Sequence, residues 1–453
     1  MSPDRTRPPA AGPRRPFRFP DFVSHRLTNG LEVRVMRRDA VPVAQIEVLL
    51  SAGGQQNPLD RPGLAALHGA VIDEGTVCDG SLELAARAER LGGSLSAGAG
   101  WNVGYVEVGL LAQHAPEALA LLSEVVLEPS FPDSEIDRLR ERQLTELMRL
   151  RAQPARLAEE AFSYAIYRGT PYAVSGQGTE DSLAAIDREA LIDFHRRHVV
   201  PRGAGIIVVG DVDVEATIQR VEALFGSWAD VDLAPAPNLA PEPLPERIVL
   251  IVDRPEAAQT QLLMGHAAIP RRHPDFEALF LASSIFGGKF TSRINLNLRE
   301  RHGFTYGASS VLVRRRGPGP FFVRTAVAND VAGRAVEEVL LELDRLRSEP
   351  VADDELQDAQ DYLLGSFPST LQGVGELAQR MEELAVFDLP DDHYATYPAV
   401  FADLNAGQLL DAAQRHLQPD HLAIVAVGPA DLLEPQLSAY GRLQIQRAAP
   451  LGD

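Results

Sequence analysis

The sequence predicts an α+β fold in two homologous halves, each a largely antiparallel sheet covered by helices. Residues 197–210 read RHVVPRGAGIIVVG, and residues 415–428 read RHLQPDHLAIVAVG at an offset of 218 residues. Each segment has an apolar run between turn residues, which is typical of a buried strand. A Glu-Pro dipeptide before an acidic helix start also recurs, at positions 128 and 349. Because solenoid repeats are much shorter, two matches at nearly one offset predict a duplicated domain.

A proline-rich segment separates the two halves. Residues 230–246 read DVDLAPAPNLAPEPLPE and carry five prolines, which exclude a helix or a central strand. We expect a semi-rigid spacer there, with one half over residues 19–229 and the other over residues 247–445. Residues 1–18 are rich in arginine and proline, and we expect them to form a disordered tail.

Apolar periodicity locates strands and helices within the halves. Alternating apolar residues predict strands over residues 31–35 and 44–48, and residues 105–111 and 321–327 are further strand candidates. In the first two of these strands the alternation predicts one buried face. Helical periodicity covers residues 115–126 and 134–151. Adjacent strands separated by pairs of helices favour sheets with helices on one face.

Composition excludes several classes of protein. The chain has 453 residues and a formal net charge of −20, which argues against nucleic acid or an anionic membrane as the main partner. Such acidity suits a basic peptide or serves solubility. No apolar run is long enough to predict a transmembrane helix, and the N-terminal segment lacks the apolar stretch of a secretory signal. The single cysteine, Cys78, excludes an intrachain disulfide and a Cys-rich metal site. We therefore expect a cytoplasmic protein.

Residues 62–76, PGLAALHGAVIDEGT, carry a family signature. They resemble the pitrilysin/insulinase family of zinc metallopeptidases, in which an inverted motif His-x-x-Glu-His stands in a Gly-Leu-Ala … Gly-Thr frame. In that motif two His on one helix face hold Zn²⁺, and the Glu acts as general base. Here the frame is kept, but the motif positions are Ala66, Leu67, His68, Gly69 and Ala70. The resemblance therefore implies a chain that has lost the zinc motif and has no metal ligands or catalytic residues of its own.

The third zinc ligand of the family also has a counterpart. The resemblance places it at Glu146, whereas the supporting glutamate seven residues earlier is Leu139. Both positions share a helix face, but one carboxylate beside a leucine is not a metal site. We interpret Glu146 as a vestigial position.

Other histidines are weak candidates for a metal site. His68 has no second ligand at helical spacing, and we expect a lone histidine that is packed or exposed. His195 and His198 form the one close pair in the sequence, but two arginines flank it, and their charges oppose a cation. We therefore assign no metal to either.

Residues 278–307, ALFLASSIFGGKFTSRINLNLRERHGFTYG, are the most family-like stretch. They resemble the Gly-Gly … Ser-Arg-Leu … Leu-Arg-Glu … Gly-x-x-Tyr segment of the same family. The resemblance implies that Arg299 and Tyr306 bind the substrate backbone and the carbonyl to be cleaved. A guanidinium donates several hydrogen bonds, and a phenol can stabilise an oxyanion. Gly287 and Gly288 resemble a loop through which some non-catalytic subunits admit substrate. Without the family frame, these residues read as a helix C-terminus, a strand start and a turn.

The resemblance implies a non-catalytic, substrate-binding subunit of a heterodimeric zinc metallopeptidase that cleaves peptides or leader segments. A homologous partner subunit with an intact His-x-x-Glu-His would carry the zinc, and the two chains would close as a clam-shell around a chamber. Three alternatives stay open: a structural or assembly subunit, a homodimeric peptide-binding module, and an independently active zinc peptidase with unrecognised ligands.

Overall fold

The computed structural model of the chain describes residues 17–232 and 235–447. Residues 1–16 of the expected tail lie outside these ranges, as do residues 233–234 of the proline-rich segment. At the start of the described part, Phe17 packs edge-on against Phe367, with ring centroids 5.5 Å apart. No helix in residues 17–232 or 235–447 is long and apolar enough to cross a membrane.

The strands form two six-stranded sheets. The first sheet contains β1 (Val23–Arg26), β2 (Glu32–Arg37), β3 (Val43–Leu50), β4 (Ser94–Ala99), β5 (Gly104–Leu111) and β6 (Gly205–Gly210). The second contains β7 (Ile248–Asp253), β8 (Thr260–Ala267), β9 (Ala308–Leu312), β10 (Pro320–Val327), β11 (Ala423–Gly428) and β12 (Arg442–Arg447). Their orders are β1-β2-β6-β3-β5-β4 and β12-β7-β11-β8-β10-β9. Only β2–β6, β7–β11 and β7–β12 are parallel among these pairs.

Helices accompany both sheets, so the chain has a mixed α/β fold. The first half carries α1 (Leu64–Val71), α2 (Ser81–Arg90), α3 (Ala115–Leu127), α4 (Asp133–Arg151), α5 (Pro154–Ile166), α6 (Glu180–Ala184), α7 (Arg188–His198) and α8 (Val214–Phe225). The second half carries α9 (Phe276–Ser283), α10 (Arg293–Asn295), α11 (Ala332–Ser348), α12 (Asp353–Ser366), α13 (Val374–Val386), α14 (His393–Asp403), α15 (Ala406–His416) and α16 (Ala430–Leu437). The helices predicted over residues 115–126 and 134–151 are confirmed as α3 and α4.

The repeated segments form equivalent central strands. β6 and β11 are buried along their whole length. Each lies between one parallel neighbour, β2 or β7, and one antiparallel neighbour, β3 or β8. A central strand covered on both faces needs apolar side chains at every position, which explains the uninterrupted apolar runs.

Each sheet is covered on one face by a helix from the other half. α5 of the first half packs on β7, β8 and β11, and its Phe162 meets Phe322 with ring centroids 5.8 Å apart. α13 of the second half packs on β3 and β6, where its Met381 is fully buried. The two helices begin 220 residues apart, close to the offset of the sequence repeat. The two halves are therefore interlocked.

The prediction that each early strand has only one buried face is wrong. In β2 both Val35 and Met36 are fully buried, although they point to opposite faces. In β3 Glu47 is only 7% exposed. The reason is that α13, more than 300 residues away in sequence, covers the face that carries Met36. The alternation of apolar and polar residues within a strand does not show that a distant helix packs on its second face.

The described part of the proline-rich segment forms neither helix nor strand. Leu239 and Leu244 from this segment pack against the cluster around α5. The backbone oxygen of Leu244 also lies 2.6 Å from Nδ1 of His421. The segment is therefore held against the rest of the chain at these positions.

Candidate functional site

The zinc-motif positions lie on α1, which begins after Gly63. Gly63 has φ of 92°, a left-handed conformation that glycine adopts without strain. On this helix Ala66 lines a cleft, and Ala70 packs against the core of the first half. Neither side chain offers a metal ligand.

Gly69, at the position of the general base, has no room for any side chain. A Cβ atom placed there would lie 2.5 Å from the carbonyl carbon of Gly98 and 2.8 Å from the amide nitrogen of Ala99. The backbone of β4 thus fills the space that a glutamate would need. The residues present do not fit a zinc ion, because both histidines are absent and β4 closes the position of the base.

Glu146 lies on α4 and forms an ion pair on the helix surface. Its Oε2 accepts a hydrogen bond of 2.7 Å from Nε of Arg149, and its side chain is 45% exposed. The hydrogen bond and the charge of Arg149 lower the pKa of Glu146. Leu139, two turns earlier, is buried in the core of the first half. Among the described residues, neither position belongs to a group of three potential metal ligands.

His68 is buried and meets His195, a contact that the sequence did not predict. Its Nε2 lies 3.1 Å from Nδ1 of His195, and the rings of Phe131 and Phe194 pack beside it. Burial lowers the pKa of His195 to about 4 and that of His68 well below its usual value. Both imidazoles are therefore neutral at neutral pH, and one donates a hydrogen bond to the other. His198 lies on α7, the helix of His195. Its Nδ1 is buried and has no hydrogen-bond partner among the described residues.

One group of three potential metal ligands occurs in the described part of the chain, away from α1. His273, Asp275 and His416 place their ligand atoms within 4.8 Å of one another. Nε2 of His416 lies 2.6 Å from Oδ2 of Asp275, and Nη1 of Arg415 lies 2.8 Å from the same oxygen. These contacts join the start of α9 to the end of α15, and Arg415 already neutralises the carboxylate.

Three of the four predicted substrate-binding residues line one cleft of about 500 Å³, called the second-half cleft below. They are Gly287, Gly288 and Tyr306, and the Tyr306 side chain is 95% exposed. Arg299 does not line this cleft. Its guanidinium carbon lies 3.6 Å from the ring centroid of Phe290, which does line the cleft and is 68% exposed. The structure thus brings all four residues to one region.

The two glycines and Arg299 lie on wide helical turns. π-Helical stretches run over Ser284–Gly288 and Leu296–Arg301. Such turns are rare and frequently occur at functional sites. A Cβ on Gly287 would lie 2.5 Å from Ser310, so β9 can approach this turn only because the residue is glycine. Neither π-helical stretch was predicted from the sequence.

An adjoining cleft of about 420 Å³, called the junction cleft below, lies where the two halves meet. It is lined by Ala66 from the first half and by Phe322 from the second. Glu159 and Leu263 line both clefts. The two clefts therefore adjoin at Glu159 and Leu263, and one of them reaches Ala66 while the other reaches Tyr306.

The charged and aromatic residues of the junction cleft were not predicted from the sequence. Trp101 reaches this cleft from the turn between β4 and β5, and Arg315 reaches it from the turn between β9 and β10. The run Arg314-Arg315-Arg316 was a visible signal, because it concentrates three positive charges in a chain whose formal net charge is −20.

Two family models match the chain. One, described as insulinase (peptidase family M16), matches residues 34–180. The other, described as the peptidase M16 inactive domain, matches residues 185–363. Together they cover most of both halves.

Two curated relatives align with most of this chain. A protein of Rickettsia felis named an uncharacterized zinc protease is 22% identical over 80% of this chain and 86% of its own. The non-peptidase homolog YmxG of Helicobacter pylori is 20% identical over 89% of this chain and 94% of its own. Each match therefore extends over parts of both halves of this chain.

Solved structures share the fold. A peptidase M16 inactive domain from Pseudomonas fluorescens superposes with a TM-score of 0.84 at 24% identity, over 90% of this chain and 98% of that one. A chain of complex III2 from Candida albicans superposes with a TM-score of 0.77 at 13% identity, over 91% of this chain and 97% of that one. The resemblance inferred from the motifs is confirmed: the chain belongs to peptidase family M16, and Ala66, Gly69 and Ala70 stand where the motif has its two histidines and its glutamate.

Proposed function

We propose that the chain is the non-catalytic, substrate-binding subunit of a heterodimeric zinc metallopeptidase. The observation that carries the proposal is Tyr306, which is 95% exposed beside the second-half cleft while the zinc motif is lost. Phe290 and Tyr362 line the same cleft and are 68% and 51% exposed. Exposed aromatic side chains gathered at one cleft favour an interaction site.

The substrate in this proposal is a peptide that lies along both clefts. Tyr306 offers a hydroxyl that can donate a hydrogen bond to a carbonyl oxygen, and Arg299 offers a fork of N–H donors. Arg299 is held on Phe290 and lies 2.9 Å from Oε1 of Glu300, its neighbour in the chain. A peptide carbonyl therefore competes only with a partly exposed ion pair, whose stabilising effect is small.

The zinc in this proposal is held by a homologous partner subunit with an intact His-x-x-Glu-His. The match to a chain of complex III2 supports association, because that relative of similar fold stands in a multi-subunit assembly. A purely structural subunit is the competing function, and it has no need of Arg299 and Tyr306. Their effect on turnover therefore distinguishes the two functions.

The test is peptide hydrolysis by the complex purified with its zinc-binding partner. Tyr306→Phe removes the hydroxyl, and Arg299→Met removes the donors while keeping the apolar stem. We expect each change to lower kcat/KM about 10²-fold, as removal of an oxyanion donor does in other enzymes. Tyr164→Phe is the matched control, because Tyr164 is 56% exposed and lines neither cleft. Unchanged turnover in the Tyr306 and Arg299 variants would instead favour a structural subunit.

A further inference from the structure

Arg315 is a buried guanidinium enclosed by aromatic rings. Its guanidinium carbon lies 4.3 Å from the ring centroid of Tyr172, and 5.0 Å from those of Trp101 and Tyr167. The residue is only 7% exposed. Electron-rich ring faces stabilise a cation, which accounts for the burial of this charge.

Tyr167 is a hydrogen-bond partner of the guanidinium, but two donors of Arg315 have none. Its Nε and Nη1 are buried without a hydrogen-bond partner among the described residues. Buried donors are nearly always paired, and a charged donor without an acceptor is the costliest exception. Nε and Nη1 of the guanidinium therefore lack an acceptor, which a ligand can supply.

The junction cleft shows which chemistry such a ligand needs. Arg315 and Trp101 line it together with apolar side chains from both halves, among them Phe162, Leu263 and Phe322. The cleft also contains carboxylates, but Glu159 is already paired with Arg156. The second carboxylate, Glu160, has a pKa that burial raises. Because two donors of Arg315 lack an acceptor among the described residues and the walls are apolar, the cleft suits an anionic group attached to an apolar one.

We propose that Arg315 and the junction cleft form a subsite for a carboxylate of the bound peptide. The carboxylate comes from the C-terminus of the peptide or from an Asp or Glu side chain. The inference rests on the proposed function, because it names the chemistry of the peptide that this chain binds. It also orients the peptide: the carboxylate lies at Arg315, and the rest of the chain continues past Glu159 and Leu263 to Tyr306.

The chain carries its own reporter for this subsite. It has two tryptophans, Trp101 beside Arg315 and Trp228 elsewhere. In a Trp228→Phe background the fluorescence of the full chain reports on Trp101 alone. The first probe is N-acetylphenylalanine, and its matched control is N-acetylphenylalaninamide, which has the same apolar group and no charge. We expect saturable binding of the acid and at least tenfold weaker binding of the amide, since hydrogen bonds to charged groups are the stronger kind.

Peptides then distinguish the two sources of the carboxylate. One pair has a free or an amidated C-terminus, and a second pair has an internal Glu or Gln with an amidated C-terminus. The source is the C-terminus if only the first pair differs, and the side chain if only the second does. Equal affinity within both pairs overturns the subsite.

The matching protein variant is Arg315→Met, which keeps the apolar stem between the rings. We expect it to bind the acid and the amide equally. Arg314→Met is the control, because Arg314 stands next in the same turn and lines neither cleft. Arg315→Lys keeps the charge and serves if the methionine variant does not fold; we expect it to retain part of the preference for the acid. A preference for the acid that persists in Arg315→Met overturns the subsite.

The small probes separate this inference from the proposed function. If N-acetylphenylalanine binds as expected while no partner is found, the subsite stands and the heterodimeric function fails. If peptides are cleaved by the complex but the acid and amide probes bind equally, the function stands and the subsite fails.

Discussion

At the scale of single residues, the close approach of β4 to Gly69 predicts that side-chain replacements alone do not restore the lost zinc motif. The backbone of β4 lies 2.5 Å from the position of a Cβ on Gly69. Positions 66 and 70 differ from position 69 in their surroundings. Ala66 lines the junction cleft, and Ala70 lies at the margin of the core. The frame residues and the substituted motif were readable from the sequence, because a motif is a local pattern. The closure by β4 was not, since it depends on a tertiary contact.

The first prediction concerns this closure. Gly69→Ala forces α1 and β4 apart, and we expect it to lower the free energy of unfolding by roughly 1–3 kcal/mol. Gly365→Ala is the matched control in α12, where a new Cβ meets nothing within 4 Å. That change should stabilise by up to about 1 kcal/mol, because alanine is the better helix former. Urea unfolding measures the free energy of unfolding of both variants. Equal changes in the two would contradict the closure of position 69 by β4.

The second prediction concerns Glu47, buried on β3 beneath α13. Burial raises the pKa of Glu47 to about 8, and that of Glu382 on α13 to about 7, with Glu107 on β5 adding repulsion. The folded protein therefore keeps protons that the unfolded chain releases above pH 4.5. Stability contributed by the protonated form is present at low pH and is lost as the pH rises through about 8.

We expect Glu47→Gln to be more stable than the parent at about pH 8, by roughly 1–3 kcal/mol, because an amide needs no proton. The difference should shrink towards about pH 5, where the parent is protonated. Urea unfolding at both pH values measures it. Glu117→Gln on the exposed side of α3 is the control and should change neither curve. A Glu47→Gln variant that follows the parent at every pH would show that the parent carboxylate is ionised in the fold.

At the scale of elements, α5 and α13 join the two halves, because each packs on the sheet of the other half. We call them the exchanged helices. Helices α3 and α4 were predicted to within about one residue, because the 3.6-residue period is local. The packing of each exchanged helix on the other half was not predicted. The apolar face of a helix shows that the helix packs on something, but not on which sheet. Leu377 and Met381 look like ordinary core residues in sequence, yet they pack on the other half. The π-helical stretches were missed for a similar reason, since no local period marks them.

The third prediction tests α5. Phe162 is 3% exposed and packs against Phe322 of the other half, so Phe162→Ala should lower the free energy of unfolding by about 3–5 kcal/mol. Tyr164 lies on the same helix and is 56% exposed. Tyr164→Ala should therefore change it by less than about 0.5 kcal/mol. Chemical denaturation measures both, and a small effect at Phe162 would contradict the packing of α5 on the second sheet.

At the scale of the whole molecule, interlocked halves predict cooperative unfolding. Removal of either exchanged helix exposes the sheet of the other half, so neither half is stable alone. We expect one calorimetric transition for the full chain. Met381→Ala on α13 should lower that single transition as a whole, at a cost of about 2–5 kcal/mol. Two separate transitions, of which only one shifts, would contradict the interlocking.

The net charge of the whole chain indicates the chemistry of its ligand less well than the charges within one cleft do. The formal charge of −20 suits a basic peptide, whereas the junction cleft is lined by Arg315, two of whose donors have no partner in residues 17–232 and 235–447. Composition averages over the surface and does not show how charges are distributed in a cleft. The duplication, by contrast, was visible in the sequence, because both copies keep the same buried central strand.

The central claim is that this chain contributes substrate binding to a zinc peptidase without holding zinc itself. The most direct measurement is zinc content and peptide hydrolysis of the full chain, alone and in complex with a homologous subunit that has an intact His-x-x-Glu-His. We predict no stoichiometric zinc and no hydrolysis for the chain alone, and chelator-sensitive hydrolysis for the complex. One zinc per chain with hydrolysis by the chain alone, or no gain in activity from complex formation, would contradict the claim.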